Sequence, residues 1–243
     1  MKLNVMTFNV QHFRNYNLRP DNIIDIDLFA NYIKKFNPDI IGLNEVNMNG
    51  RTPAYDKQLY VLADKAGYEN KYFAEAIKLS GKYAYGNGML SHYKFNAETI
   101  IIPDPDKSEL NGEYAETRCV LKADYDFDGK KLTVLSCHFG LNIAEERNAV
   151  KVVCDIAKSC NNPLILMGDF NSTPDSEVLK PLFETFVDTE PLMDGENHFT
   201  FTSDNPYMKI DYMFLRGDIK ALSSQINRDI VSDHFSIIST VEF

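Results

Sequence analysis

Polar residues able to bind ions or transfer protons follow the apolar segments of this chain. Segment 163–167 runs directly into the stretch GDFNSTPD, which contains Asp169 and Asn171. Side chains alternate in extended chain, so these two residues point to the same side. Their carboxylate and carboxamide groups would suit a polar site. An ordinary turn would also explain the stretch, because turns are rich in Gly, Asp, Asn, Ser and Pro.

Other predicted strands carry residues of the same kind at one end. LNVMTF, DIIGLN and KLTVLSC run into such residues, whereas KIDYMFL and SDHFSIISTV carry them near the beginning. The residues concerned are Asn9, Glu45, His138, Asp211, Asp233 and His234. If they all converge with Asp169 and Asn171, the C-terminal strands must run against the earlier ones. This predicts mixed sheets or a sandwich of sheets.

The four carboxylates of this set would repel one another at a common site. Two carboxylates ~4 Å apart repel by about 4 kcal/mol at an effective dielectric constant near 20. The cluster therefore needs protons, hydrogen-bond donors or a cation. Oxygen ligands with amides and no cysteine favour Mg²⁺ or Mn²⁺, ions that suit phosphoryl chemistry. Of the histidines, one would serve as acid or base and one as a donor to phosphate.

Seven motifs follow one another from Thr7 to Phe235: TFNV, LNEV, GNGMLS, CHFG, GDFN, KIDY and SDHF. Together and in this order, they resemble those of the endonuclease/exonuclease/phosphatase superfamily, which includes DNase I. The resemblance implies a four-layered α/β/β/α sandwich that hydrolyses phosphate esters with a divalent metal ion. The histidine of CHFG is similar to the DNase I, phosphatase and sphingomyelinase branches. The stretch GLNIAEERNAV resembles a small bacterial branch.

The resemblance also implies roles at the metal and at the attacking water. Glu45 would be the principal metal ligand, with Asn9 and Asp233 assisting it. Asp169 would orient or activate the attacking water. Asn171 would hold the scissile phosphate.

The remaining roles concern protons and phosphate contacts. His234 would act with Asp211, which fixes its tautomer and supports its charge, and His138 would donate to the phosphate. Arg118 and Arg147 are candidates for substrate-binding or structural contacts. A plain surface position, paired with a nearby glutamate, explains Arg147 equally well. No role is assigned to the other histidines, His12, His92 and His198.

Helical and strand patterns are interspersed along the whole chain. Apolar spacing predicts helices over 24–36, 59–66 and 144–159, and Pro174 is expected to open another. Strands are predicted over 3–8, 39–43, 72–79, 88–91, 99–102, 118–125, 131–138, 163–167, 209–215 and 235–243. Residues 188–208 are expected to form a long loop. No composition break divides the chain, so one α/β or α+β domain over residues 1–243 is predicted.

Composition and charge narrow the class of protein. A chain of 243 residues, 44% of them hydrophobic, can bury a large core. The net charge of −10 lowers the expectation of tight duplex binding, because neutralisation of phosphates supplies most of that affinity. The four cysteines show no zinc spacing, and no signal peptide or membrane-length apolar segment is found. We therefore expect a cytoplasmic protein without a membrane span or a stable protein partner.

The sequence predicts a Mg²⁺- or Mn²⁺-dependent phosphoester hydrolase, with a phosphodiesterase or nuclease favoured. Its expected partner is a phosphate-ester substrate, either nucleic acid or a small phosphodiester. The alternative is a phosphatase or diesterase for a small or lipid-linked substrate, similar to sphingomyelinases or inositol phosphatases. A remote alternative is a catalytically silent binding scaffold, which would be marked by lost site residues.

Overall fold

Two six-stranded β-sheets pack face to face, and helices cover their outer faces in the computed structural model. It describes residues 1–110, 112, 114–195 and 197–243, so residue 196 of the expected loop lies outside the described residues. The strands are β1 (Lys2–Asn9), β2 (Ile40–Asn47), β3 (Asn70–Leu79), β4 (Tyr83–Ser91), β5 (Phe95–Ile101), β6 (Cys119–Phe127), β7 (Lys130–His138), β8 (Leu164–Asp169), β9 (Val187–Asp188), β10 (Asp211–Arg216), β11 (Lys220–Asn227) and β12 (Ser236–Glu242). The helices are α1 (Ile26–Phe36), α2 (Gln58–Ala66), α3 (Ile143–Ser159) and α4 (Lys180–Thr185). The predicted α/β/β/α sandwich is confirmed.

Each sheet contains one parallel pair of strands flanked by antiparallel ones. The first sheet has the order β11-β12-β1-β2-β4-β3, and the second has the order β5-β6-β7-β8-β10-β9. β1 and β2 are parallel and joined through α1, whereas β7 and β8 are parallel and joined through α3. β12 and β10 run antiparallel to β1 and β8. The mixed sheets inferred from the strand ends are therefore present.

The alternation of side chains along the strands builds three layers of core. In β8, Ile165 and Met167 face the other sheet, while Leu164 and Leu166 pack beneath α3. In β1, Val5 faces the other sheet in the same way. Because both faces of these central strands are covered, their sequences read as continuous apolar runs rather than alternating ones.

The ends of the helices follow from local sequence. Asn142 begins α3 in a capping box with Glu145, which satisfies backbone N–H groups of the first turn. Asp25 caps α1 by accepting from the Leu28 N–H. Asn37 and Gly67 end α1 and α2 in the left-handed conformation.

Three sequence expectations differ from the structure, one of them because the short strand β9 lies where the loop was expected to begin. Pro174 does not open a helix: its segment is a turn, followed by a 3-10 turn over Glu177–Leu179 and then α4, which has a proline in its first turn. No strand was expected over Lys220–Asn227, yet this segment forms β11. It is an edge strand with mostly polar, exposed residues, so it lacks an apolar signal.

Candidate active site

Three neighbouring strands of the second sheet place the central residues in register. His138 ends β7 opposite Asp169, which ends β8, and Asp169 in turn lies opposite Asp211, the first residue of β10. The parallel and antiparallel pairings therefore bring together residues far apart in sequence. Asn9 and Glu45 come from the corresponding ends of β1 and β2 in the first sheet.

The carboxylate of Asp169 is the point on which these side chains converge. Its Oδ2 accepts a hydrogen bond from Asn9 Nδ2 at 2.9 Å, and its Oδ1 accepts one from the Asn171 backbone N–H at 2.9 Å. The Nε2 atoms of His138 and His234 each lie 3.6 Å from the same Oδ2. Burial raises the pKa of Asp169 to about 7, so this carboxylate is poised to exchange a proton near neutrality.

His234 is held by a carboxylate on its other ring nitrogen. Its Nδ1 lies 2.9 Å from Oδ2 of Asp211, and both side chains are buried. Although burial opposes the charge, Asp211 and then Asp169 raise the pKa of His234 to about 10. The ring of Phe201 packs against the imidazole, with 4.8 Å between centroids. His234 is therefore a cationic imidazole whose Nε2–H points towards Asp169.

The Nδ1 atom of His138 contacts a cation, whereas that of His234 contacts a carboxylate. The Arg118 guanidinium donates from Nη1 to His138 Nδ1 at 3.0 Å. The same Nη1 lies 2.9 Å from Glu116 Oε1 in an ion pair. Burial, followed by the positive charge of Arg118, holds the pKa of His138 well below its ordinary value. His138 is therefore a neutral imidazole.

Glu45 and Asp233 lie beside this centre with oxygen atoms suited to a hard cation. Asn9 Nδ2 donates to Glu45 Oε1 at 3.1 Å, and Gln11 Nε2 donates to Asp233 Oδ2 at 2.5 Å. Burial raises the pKa of Asp233 to about 6, and the charge of Glu45 adds to this shift. Carboxylate oxygens of this kind, partly shielded from solvent, are the ligands that a hard divalent cation prefers.

A second cluster of possible ligand atoms has a different chemistry. Atoms of Asp169, Asp211 and His234 all lie within 4.8 Å of one another. However, His234 Nδ1 is engaged with Asp211, so this nitrogen is not available to a metal ion. The oxygen atoms of Glu45 and Asp233 form a separate group on the other side of Asn9.

The amide of Asn9 has a role that the sequence did not indicate. Its Oδ1 accepts from the Gln11 backbone N–H at 3.1 Å, which directs its Nδ2 towards Glu45 and Asp169. Asn9 thus bridges two carboxylates as a donor in this structure. The strand-end pattern gives the position of such an amide but not which of its atoms faces the site.

Sequence analysis missed three residues that shape the site. His12 Nε2 lies 3.4 Å from Glu45 Oε2, and Gln11 holds Asp233. Both residues have left-handed backbone conformations, which the sequence does not indicate. Asn44 donates to the Cys137 carbonyl at 2.8 Å and accepts from the Asp169 N–H at 3.1 Å, so it ties the two sheets together beneath the site. The position of Asn44 directly before Glu45 was the only feature of the sequence that could have indicated this role.

Of the remaining candidate residues, two lie beside Asp169 or His138 and one does not. Asn171 reaches it through its backbone, while its side-chain Nδ2 donates to the Phe139 carbonyl at 2.9 Å. Arg118 is buried against His138. Arg147 is exposed on α3 and lines a separate cavity with Val150 and other residues, so the structure does not bring it to the side chains around Asp169.

Comparison with solved structures shows that the fold is DNase I-like. An endonuclease/exonuclease/phosphatase from Beutenbergia cavernae is 20% identical with a TM-score of 0.80, covering 100% of this chain and 72% of that one. A mannosyl-6-phosphatase from Bacteroides thetaiotaomicron is 16% identical with a TM-score of 0.80, covering 99% and 100%. TDP2 of D. rerio, complexed with a single strand DNA product, is 19% identical with a TM-score of 0.70, covering 100% and 99%.

The chain belongs to the Endonuclease/Exonuclease/phosphatase family, whose sequence profile matches residues 6–234. The comparison with curated proteins gave no match. Membership of this family supports activity as a phosphoester hydrolase. Among the described residues, no helix combines the length and apolar character needed to cross a membrane.

Proposed function

We propose that this protein is a divalent-metal-dependent phosphoester hydrolase that acts on phosphodiesters. The observation that carries the proposal is the convergence of two histidine Nε2 atoms on Oδ2 of Asp169, at 3.6 Å each. Hydrolysis of a phosphate ester requires an acceptor for a water proton and donors for the phosphate oxygens. The three side chains supply these functions at one place.

The environments of these side chains suggest how they divide the work. Asp169, with its pKa near 7, accepts the proton of the attacking water and aligns that water for in-line attack. His138 donates its Nε2–H to a phosphate oxygen. His234 brings a positive charge, stabilised by Asp211, to the oxygen on which negative charge develops. The Asn171 backbone N–H fixes the orientation of the Asp169 carboxylate.

Mg²⁺ or Mn²⁺ would be held by Glu45 and Asp233, with Asn9 and Gln11 orienting these two carboxylates. When bound, such an ion supplies charge neutralisation to the phosphate. The fit rests on the oxygen chemistry of the two residues and on the raised pKa of Asp233, which reflects burial of its carboxylate first and the nearby charge of Glu45 second.

Hydrolysis of bis-p-nitrophenyl phosphate, compared with p-nitrophenyl phosphate, tests this proposal. We expect diester cleavage with Mg²⁺ or Mn²⁺, its loss in EDTA and a loss of at least about 100-fold in Glu45→Gln. Glu98→Gln is the matched control, because Glu98, an exposed residue on β5, forms an ion pair with Lys122. Metal-dependent turnover that Glu45→Gln retains would contradict the assignment of the metal site.

A phosphatase acting on a small substrate is the second candidate. It is favoured by the similarity in fold to a mannosyl-6-phosphatase and by the net charge of −10, which opposes electrostatic attraction to a polynucleotide. Preference for the monoester in the same assay would support it. Activity on single-stranded DNA that falls steeply with salt would support a nuclease instead.

A further inference from the structure

The side chain of Arg118 is buried against the catalytic cluster rather than open to a substrate. It is only 8% exposed, and its Nη1 contacts both His138 and Glu116. A substrate-binding arginine needs donors directed at the open cleft. Nη1 of Arg118 instead donates to His138 and lies within ion-pair distance of Glu116, so this nitrogen is directed into the protein.

We propose that Arg118 is a positioning residue that fixes His138 as its Nε2–H tautomer, a neutral donor directed at the bound phosphate. A guanidinium group carries only donors and keeps its charge throughout the ordinary pH range. The Nδ1 atom of His138 must therefore accept, and the ring proton must lie on Nε2. The meaning of this arrangement for catalysis rests on the function proposed above.

The geometry explains why this tautomer is the useful one. Nε2 is the nitrogen of His138 that points into the site, 3.6 Å from Oδ2 of Asp169. With the proton on Nδ1, the ring would present a lone pair to a negatively charged substrate and an N–H to the guanidinium. Both contacts would then be repulsive.

Glu116 supports this arrangement by holding the guanidinium. Its Oε1 lies 2.9 Å from the same Nη1, and this carboxylate is partly exposed. The ion pair compensates the charge of Arg118, so a buried cation can lie beside the imidazole. A guanidinium group cannot substitute for the carboxylate that partners His234, because it cannot accept the Nδ1 proton.

The tautomer of His138 can be measured without any substrate. Two-bond ¹H–¹⁵N correlation spectra of the ¹⁵N-labelled full chain distinguish a protonated from an unprotonated ring nitrogen, and the His138→Gln variant identifies the signals. We expect an unprotonated Nδ1 and a protonated Nε2 near neutral pH. A protonated Nδ1 in the wild type would overturn the proposal even if every Arg118 variant failed to fold.

The Arg118→Met variant tests the cause of this tautomer. Without the donor, we expect the His138 signals to move towards values averaged over two tautomers, and kcat on the diester substrate to fall about 10- to 100-fold with KM changed less than about threefold. Arg216→Met is the matched control. Arg216 donates to the Cys160 carbonyl at the far end of β10, about 17 Å from Asp211 along the strand.

The outcomes separate this inference from the proposed function. Unchanged His138 signals in a folded Arg118→Met protein would overturn the positioning role. A rise in KM with kcat unchanged would also overturn it, since that pattern marks a substrate contact. If the wild type shows the expected tautomer but hydrolyses no phosphate ester, the proposed function fails while the structural assignment of Arg118 stands.

Discussion

At the scale of single residues, the site depends on giving two similar histidines different partners. Asp211 accepts from Nδ1 of His234 and raises its pKa, whereas Arg118 donates to Nδ1 of His138 and helps to lower its pKa. Both rings then direct Nε2 to the same carboxylate oxygen. Pairs of titratable groups whose environments move their pKa values apart commonly divide the acid, base and electrostatic roles of a site.

The Asp211→Asn variant tests the charged histidine. Asp211 is the largest source of the upward shift that brings the pKa of His234 to about 10. Without it, we expect this pKa to fall towards or below the ordinary value near 6.5 and activity at neutral pH to drop about 10²- to 10⁴-fold. A ¹⁵N NMR titration of His234 measures the first effect, and initial rates measure the second.

The exposed Asp155 on α3 provides the control for this change. Asp155 pairs with Lys151 at the surface, so Asp155→Asn should leave both the titration and the rate unchanged. If His234 in Asp211→Asn still titrated near the wild-type value, the charge would have to come from another group, and the assigned role of Asp211 would be wrong.

The residue positions were more predictable than their chemistry. Polar residues at strand ends indicated Asp169, Asp211, His138 and His234, because an apolar run interrupted by a carboxylate or imidazole is visible in one sequence. Which nitrogen of each imidazole faces the site depends on its spatial partner. Arg118 lies 20 residues from His138 in sequence, and nothing in that spacing identifies it as the partner of Nδ1.

At the scale of elements, the close approach of β7 and β8 determines the geometry at Asp169. Gly168 has φ of +145°, and a Cβ there would lie 1.9 Å from the Cys137 carbonyl oxygen. The two parallel strands can therefore remain in register up to His138 and Asp169 only with glycine at this position. The glycine of GDFN is a requirement of strand pairing as well as of the turn.

The Gly168→Ala variant should lower the free energy of unfolding by at least about 3 kcal/mol, because both the backbone conformation and the contact are unfavourable. Gly67→Ala is the matched control: φ is also positive, at +87°, but no atom lies within 4 Å of the added Cβ. That change should destabilise by only about 1 kcal/mol. Urea denaturation measures both, and equal losses would show that the contact with Cys137 is unimportant.

Elements with strong apolar patterns were predicted, and those defined by pairing were missed. The central strands β1 and β8 and the helices α1 and α3 have the apolar sequences that burial requires. β11 has few apolar residues because its hydrogen bonds to β12, rather than a buried face, hold it in the sheet. The register shift in β2 near Glu45 is likewise a consequence of pairing with β4 and has no sequence signal.

At the scale of the whole molecule, the site lies across the interface between the two sheets. The first sheet supplies Asn9 and Glu45, and the second supplies His138, Asp169 and Asp211. Asp233 and His234 lie directly before β12 of the first sheet, so the site needs residues from both sheets. The hydrogen bonds of Asn44 to β7 and β8 hold the two sheets together.

Because Asp233 is partly buried and its pKa is raised to about 6, first by burial and then by the charge of Glu45, metal binding and stability should both depend on pH. The unfolded chain releases this proton near pH 3.9, so the burial penalty of the ionised group develops as pH rises from about 4 to about 6 and is fully present above that range. A bound divalent cation offsets it. We therefore expect Mg²⁺ or Mn²⁺ to raise the Tm more at neutral pH than at acidic pH.

Isothermal titration of the metal ion provides the direct measurement. Protonated Asp233 cannot serve as a ligand, so the dissociation constant should rise about tenfold for each pH unit below about 6. Asp233→Asn should bind more weakly and show a flatter pH dependence, while Asp218→Asn, in the turn that joins β10 and β11, should match the wild type. An affinity independent of pH between about 5 and 7 in the wild type would exclude Asp233 as a ligand and would leave Glu45 as the principal carboxylate of the cation site.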